Sequence, residues 1–179
     1  VVAGPQQPAH VHALAHAANH LIGAAGHSLV YTPRLQSQPD APAVASLRAL
    51  VDRIDRGDLD ALFILDTDPA FDAPADLEFA GALARVPFTA HLGVFRDETA
   101  ERCRWHVPQA HALEAWGDAR ADDGTVTLAQ PTIRPLYGGL TPPELLTALA
   151  DDKTRGRDLL ERAFTDRPAI DWRAAIHDG

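Results

Sequence analysis

The stretch "LDALFILDTDPAFDAPADLEFAGALARVPFTAHLGVF" (Leu59–Phe95) decides the fold. Its first part, Leu59–Asp66, is an apolar segment typical of a strand buried on both faces of a parallel sheet. A helical segment, Ala73–Val86, separates it from a second apolar strand, Pro87–Phe95. A strand, a helix and a strand in this order predict a right-handed crossover and parallel pairing.

The same alternation extends towards the start of the chain. "VVAG" (1–4) and Ser28–Thr32 have the composition of strands, and Pro8–Ile22 and a segment ending at Gly57 have helical periodicity. A loop rich in Pro, Gln, Ser and Asp is predicted at 33–42. The first 95 residues therefore predict an α/β fold: a Rossmann-like, doubly wound, mainly parallel sheet.

The elements after Phe95 are shorter, and this suggests a division of the chain. Residues 1–150 are predicted to form the Rossmann-like domain, with short strands and helices appended at its end. Residues 151–179 are predicted to be a helical tail that leads to the next part of a parent protein. Because the chain has no Met and opens on a strand-like segment, we expect it to be an internal domain excised from a longer polypeptide.

Composition argues against several classes of function. The net charge of −9 and the lack of a Lys/Arg cluster disfavour nucleic-acid binding. The single cysteine, Cys103, excludes a disulfide framework within the chain and a cysteine-built zinc or iron–sulfur site. No apolar run reaches the roughly 18–20 residues that a membrane span needs, so direct membrane insertion is not expected.

A row of histidines, His12, His16 and His20, lies at spacings of four residues in the first predicted helix. Neutral imidazoles at i and i+4 can chelate zinc, copper or nickel. The three positions nevertheless drift by about 80° around the helix, and no carboxylate lies within it. A solvated helix face is the preferred interpretation, and a His-rich metal-binding module is an alternative.

Four aspartates lie at the end of the strand Leu59–Asp66 and in the loop that follows it, where ligands bind in α/β sheets. They suggest a magnesium or calcium site, or recognition of nucleotide hydroxyls. The preferred alternative is structural, with a turn at Asp68-Pro69 and a helix cap at Asp76. The four are Asp66, Asp68, Asp72 and Asp76.

A cysteine–histidine nucleophile is a further hypothesis, and nothing in the sequence defines its geometry. Covalent catalysis is therefore not favoured, and the chain has no Walker, GxGxxG, HExxH or GxSxG motif. The residues concerned are Cys103, His106 and His111, with Glu98 or Glu114.

Four stretches together resemble the molybdopterin oxidoreductase superfamily. They are "VVAGPQQPAHVHALAHAANHLIGAAGHSLVYT" (1–32), "LDALFILDTDPAFDAPADL" (59–77), "HLGVFRDETAERCRWHVPQAHALEAWGDARADDGTVTLAQPTIRPLYGG" (91–139) and "DWRAAIHDG" (171–179). The most specific part is the ETA-to-VP stretch followed by E-x-x-G-D. Within the superfamily, the chain most resembles the molybdopterin-oxidoreductase-like large subunit of alternative complex III.

The resemblance also implies the positions of a cofactor site. In cofactor-bearing members, a G-x-N-P loop contacts the guanosine part of molybdopterin guanine dinucleotide, and a T-E-T-A motif adds a further contact. Here the loop reads Asp66–Pro69, in which only Pro69 matches, and the motif reads Asp97–Ala100. The implied site is therefore degenerate, and no cofactor is expected in this segment. Its residues are Asp68, Pro69, Glu98 and Thr99.

The function implied by the resemblance is that of a scaffold in a subunit of a respiratory electron-transfer complex. No catalytic residue is assigned, and the isolated segment is expected to have no activity, although the parent resembles an oxidoreductase. The implied partners are the other domains of the parent subunit and the subunits of a membrane complex. The implied location is peripheral, on the periplasmic side of the membrane. The alternative is a domain of an active molybdopterin oxidoreductase that binds the dinucleotide.

Overall fold

The computed structural model describes residues 1–32, 43–121, 123–165 and 171–178, so the loop predicted at 33–42 lies outside the described residues. By its contacts the chain divides into unit 1, Val1–Ser37 with Arg120–Thr125, and unit 2, Gln38–Ala119 with Val126–Gly179. The boundary expected near residue 150 stays a prediction.

The helices are α1 (Ala9–Leu21), α2 (Ala43–Asp55), α3 (Pro69–Asp72), α4 (Phe79–Leu83), α5 (Glu98–Arg102), α6 (Pro142–Leu149), α7 (Gly156–Thr165) and α8 (Trp172–Asp178). The strands are β1 (Ala61–Leu65), β2 (Phe88–Gly93), β3 (Trp105–Pro108), β4 (Gly117–Arg120) and β5 (Val126–Ala129), with 3-10 helices at Ala75–Leu77 and Ala112–Glu114.

The principal sheet of unit 2 is parallel. Among the described residues it has three strands in the order β1-β2-β3. Phe63 is paired with Ala90, and Ala90 with Trp105, which sets the register across all three strands. Residues 89–93 of the central strand are buried, as expected for a strand covered on both faces. The prediction of an α/β fold with a mainly parallel, Rossmann-like sheet is confirmed.

One hydrophobic core joins α2 and α4 to β1. The buried side chains of this core include Val51 and Ile54 of α2 and Ile64 of β1. Phe79 and Leu83 of α4 pack against them. Each such buried side chain contributes about 1.5–3 kcal/mol relative to an exposed one. The helix predicted at 73–86 is in fact two short helices, because Glu78 between them has a φ of 45° and interrupts the helical backbone.

A second core lies in the C-terminal part of unit 2. Leu128 of β5 packs with Leu160 and Phe164 of α7, and Trp172 of α8 covers them. The helix α6 begins with a capping box, in which the Thr141 hydroxyl accepts from the backbone of Glu144. Three helices, α6, α7 and α8, therefore follow residue 141 in the described part of the chain.

Unit 1 differs from the sequence-based expectation. The segments expected as strands at 1–4 and 28–32 are not strands, and Leu29 makes only an isolated bridge to Ala25. The apolar side chains of Leu14 and Leu21 in α1 are exposed, with 84% of the surface of Leu21 accessible. Apolar and β-branched residues form strands only where a neighbouring backbone pairs with them, and the described residues of unit 1 supply no such partner to these segments.

A search of the helices in the described residues finds none with the length and apolarity that crossing a membrane requires.

Candidate functional site

The candidate site lies at the carboxyl edge of the parallel sheet, where each strand continues into a loop. Asp66, just after β1, donates its N–H to the carbonyl of Leu92 at 2.8 Å. Gln109, just after β3, donates its N–H to the carbonyl of Gly93 at 3.0 Å. These bonds extend the ladder beyond the strands, so all three loops start from backbone positions fixed by the sheet.

Asp68 and Thr99 connect the loops that follow β1 and β2. The Asp68 carboxylate accepts from the Thr99 backbone N–H at 3.1 Å and from the Thr99 hydroxyl at 2.5 Å. The Thr99 hydroxyl oxygen in turn accepts from the N–H of Ala70 at 2.9 Å. Thr99 is fully buried and Asp68 half-buried, so these bonds are largely shielded from water. Two of the predicted site residues are therefore brought together.

The pKa of Asp68 reflects these contacts. Burial of the carboxyl raises its pKa. The side-chain hydrogen bonds with Thr99 and Glu98 and the backbone N–H groups of Thr99 and Phe71 lower it, and together they outweigh the effect of burial. The net result is a pKa below the ordinary value, so Asp68 is ionised near neutral pH. The loop after β1 thus carries a fixed negative charge.

Asp97 begins the helix α5 and lies beside the buried face of β2. One of its carboxylate oxygens accepts from the N–H of Ala100 at 2.9 Å and so caps the helix. The other oxygen lies 3.6 Å from Nε2 of His91. The carboxylate therefore contacts both the helix that presents Thr99 and the centre of the sheet.

His91 is the residue of this site that sequence reasoning missed. It is 1% exposed, its Nδ1 lies 3.2 Å from Nδ1 of His106, and its Nε2 has no hydrogen-bond partner among the described residues. A Cβ at position 93 would lie 2.4 Å from the imidazole, so Gly93 is required for this packing. A histidine inside an apolar strand, two residues before a glycine, is the signal that could have identified it.

The partner of His91, His106, is less basic than an ordinary histidine. Burial of its imidazole lowers its pKa most, the nearby charges of His91 and Arg96 lower it further, and Asp97 opposes them. The two rings are stacked with centroids 5.3 Å apart. The pair therefore favours states in which His106 is neutral.

The remaining predicted residues at this edge are more exposed. Pro69 opens α3, and the side chain of Glu98 is exposed at the start of α5. Asp66 is exposed and has a φ of 54°. The Asp76 carboxylate forms an ion pair with the Arg48 guanidinium at 2.6 Å. Among the described residues, no group of three or more His, Cys, Asp or Glu side chains is arranged to hold a metal ion.

The three side chains of the cysteine–histidine hypothesis do not form a nucleophile pair. Cys103 packs against the core of α2, α4 and β1, where burial raises the pKa of its thiol, a hydrogen bond with Thr89 lowers it and Asp97 raises it. His106 pairs with His91 instead. His111 caps the 3-10 helix Ala112–Glu114. A thiol whose pKa is raised is a poor nucleophile, so this hypothesis gains no support.

The histidine row lies on α1 of unit 1. His16 contacts Tyr31 through Nδ1 and the phenol oxygen at 2.7 Å, and its ring lies 5.4 Å from the tyrosine ring. His12 is half-buried and His20 is exposed. Metal binding by His12, His16 and His20 stays a prediction.

The carboxyl edge carries several carboxylates, whose charge repels a pyrophosphate such as that of molybdopterin guanine dinucleotide. Asp66, Asp68 and Asp97 place carboxylates on the loops after β1 and β2, and these loops contain no glycine between Asp66 and Pro69 or between Asp97 and Ala100. Two like charges 4 Å apart repel by about 1 kcal/mol even in bulk water. The polar groups of Asp68 and Thr99 are also already bonded to each other.

Comparison with known proteins gives one partial similarity. No protein-family profile matches the chain. It is 30% identical over 121 residues to the menaquinone reductase, molybdopterin-binding-like subunit, of Nitratidesulfovibrio vulgaris (strain Hildenborough). The match covers 65% of this chain but 17% of that protein's length. This similarity supports a relationship of the chain to molybdopterin oxidoreductases.

Proposed function

We propose that this chain is part of a molybdopterin oxidoreductase-like subunit of a respiratory electron-transfer complex, in which unit 2 is a scaffold with a degenerate dinucleotide site. The similarity to a molybdopterin-binding-like subunit supports the first part of the proposal. The name of that relative describes a subunit, which supports partners in a multi-subunit complex. Within this class we propose the alternative complex III type and a peripheral position on the periplasmic side, on the resemblance of the sequence.

The observation that carries the proposal is the bonding between Asp68 and Thr99. These residues occupy the loops that correspond to the two cofactor-contacting motifs, and Asp68 accepts both the N–H and the hydroxyl of Thr99. A ligand that used these groups would first have to break hydrogen bonds to a charged acceptor, each contributing about 1.5–3 kcal/mol. The loops therefore stabilise each other, as a scaffold requires, and have lost groups that a cofactor would use.

The alternative, a domain that still binds the dinucleotide, has one observation in its favour. Asp66 has a φ of 54°, the left-handed conformation that glycine adopts most readily. Glycine is the residue that the corresponding motif has at this position. The loop backbone is therefore compatible with the motif, and the side chains of Asp66 and Asp68 are what oppose binding.

Titration calorimetry with guanosine diphosphate distinguishes the two proposals. This probe stands for the guanosine part of the cofactor with its two phosphates. We expect no saturable binding to the wild-type chain up to millimolar concentration. We expect the Asp66→Gly/Asp68→Asn double variant, which removes two negative charges and restores the motif residues, to bind saturably, at least tenfold more tightly than the millimolar limit set by the wild type. Micromolar binding by the wild type would overturn the scaffold proposal and support the alternative.

A matched control variant removes the same charge elsewhere. Asp52 on α2 and Asp60 before β1 are both exposed and lie away from the carboxyl edge. The Asp52→Asn/Asp60→Asn variant should bind the probe no better than the wild type. Release of pterin by oxidation of the native protein that contains this sequence is an independent measurement, and a stoichiometric yield would contradict a degenerate site.

A further inference from the structure

A cavity of about 410 Å³ in unit 2 lies beyond the end of β3 and is separate from the residues of the proposed function. Its walls come from the segment after β3, from the loop at 131–140 and from the starts of α6 and α7. Gly139 lies directly against this first segment, because a Cβ there would be 2.6 Å from the N of Ala110. The loop therefore contacts the extended edge of the sheet at a separation that only glycine permits.

Two half-buried carboxylates, those of Glu114 and Glu144, hold the walls of this cavity in place. Glu114 accepts from the N–H of His111 at 3.0 Å and from the N–H of Leu136 at 3.1 Å. Glu144 accepts from the N–H of Thr141 and from the N–H of Gly156, each at 2.8 Å. Every oxygen of the two carboxylates thus binds a backbone group, and each carboxylate connects two segments of the wall. The cavity is preformed, as ligand sites usually are.

Two arginines of the same cavity have no polar partner among the described residues. Arg134 and Arg155 both line it and are exposed, and in the part of the chain that the structure describes neither guanidinium has a hydrogen bond or an ion pair. Other arginines of unit 2, such as Arg48 and Arg162, are paired with aspartates. The planar donor forks of the two guanidinium groups match an oxyanion.

The rest of the lining is apolar. Trp116, Pro131 and Ile133 supply flat or aliphatic surface beside the two arginines. We propose that this cavity binds a small organic phosphate, with the phosphate group on Arg134 and Arg155 and the organic part on Trp116 and Ile133.

The experiment uses the 179-residue chain and phenyl phosphate as the probe, with binding measured by titration calorimetry. We expect saturable binding at one site, and a loss of affinity of at least tenfold in Arg134→Gln and in Arg155→Gln. Phenol, which lacks the anion, should not bind. Inorganic phosphate, which lacks the organic part, should bind more weakly than phenyl phosphate.

The control variant is Arg53→Gln, which removes an exposed arginine from α2 and should leave the affinity unchanged. Circular dichroism should show that each variant is folded, because within the described ranges none of the three side chains has a hydrogen bond or an ion pair that its replacement would break. No saturable binding of phenyl phosphate would overturn the proposal. Equal binding by the wild type and both cavity variants would overturn it as well.

Discussion

Asp68 is the residue on which the connection between the loops after β1 and β2 depends. Replacing it with alanine removes both hydrogen bonds to Thr99 and leaves the buried hydroxyl with fewer partners. We expect Asp68→Ala to lower the free energy of unfolding by about 1–3 kcal/mol, measured by chemical denaturation. The exposed Asp72 of the adjacent helix has no such contact, so Asp72→Ala should change stability by less than about 0.5 kcal/mol. Equal effects of the two variants would contradict this assignment.

Gly93 is needed because of His91, and the two positions should be coupled. The Cβ of an alanine at position 93 would lie 2.4 Å from the buried imidazole, so Gly93→Ala forces the ring or the strand to move. We expect a loss of about 1–3 kcal/mol in the free energy of unfolding. In the His91→Ala background the clash is absent, and Gly93→Ala should then cost less. Additive effects in this double-mutant cycle would show that the contact is not the cause.

At the scale of elements, the pairing of β2 with β3 should depend on pH through His106. Its pKa is lowered from 6.5 in the folded chain, by burial first and by the charges of His91 and Arg96, against the opposing effect of Asp97. The unfolded chain therefore binds more protons as the pH falls below 6.5. The free energy of unfolding should then be highest above this pH and decrease as the pH falls towards the folded pKa.

The measurement for His106 is chemical denaturation at a series of pH values between neutral and mildly acidic. His106→Gln should reduce the slope of stability against pH in this range. His20→Gln, which changes an exposed histidine of α1, is the control and should leave the slope as in the wild type. A slope that is unchanged in His106→Gln would mean that other groups cause the pH dependence.

The elements themselves show which sequence signals are dependable. The apolar run at 59–66 contains β1, and the segment at 87–95 contains β2, because the two backbones pair with each other in the sheet of unit 2. Of the residues of β1, Ile64 is buried and Phe63 is exposed, so the expected burial of this strand on both faces is wrong. The segment 28–32 has a similar composition but forms no strand, since its Val30 and Tyr31 are exposed. A strand-like composition therefore predicts a strand only where the tertiary structure offers a paired and covered position.

At the scale of the whole molecule, burial separates leucines that look equivalent in the sequence. Leu83 is 1% exposed in the core of α2, α4 and β1, whereas Leu21 at the end of α1 is 84% exposed. Leu83→Ala should lower the free energy of unfolding by about 2–5 kcal/mol, while Leu21→Ala should change it by less than about 0.5 kcal/mol. Chemical denaturation measures both, and a large effect of Leu21→Ala would show that its side chain is covered in solution.

The sequence by itself determined the α/β class, the parallel order of the strands and the position of the two loops that contain Asp68 and Thr99. These features follow from local periodicity and from the crossover rule, which act along the chain. Only the tertiary structure decided that Asp68 binds Thr99, that His91 lies against His106 and that Arg134 and Arg155 share a cavity. His91 and His106 are 15 positions apart in the sequence, and Asp68 and Thr99 are 31 positions apart. The two arginines likewise come from different segments of the chain. Their distances depend on how the elements pack, and no local pattern of residue types records that packing.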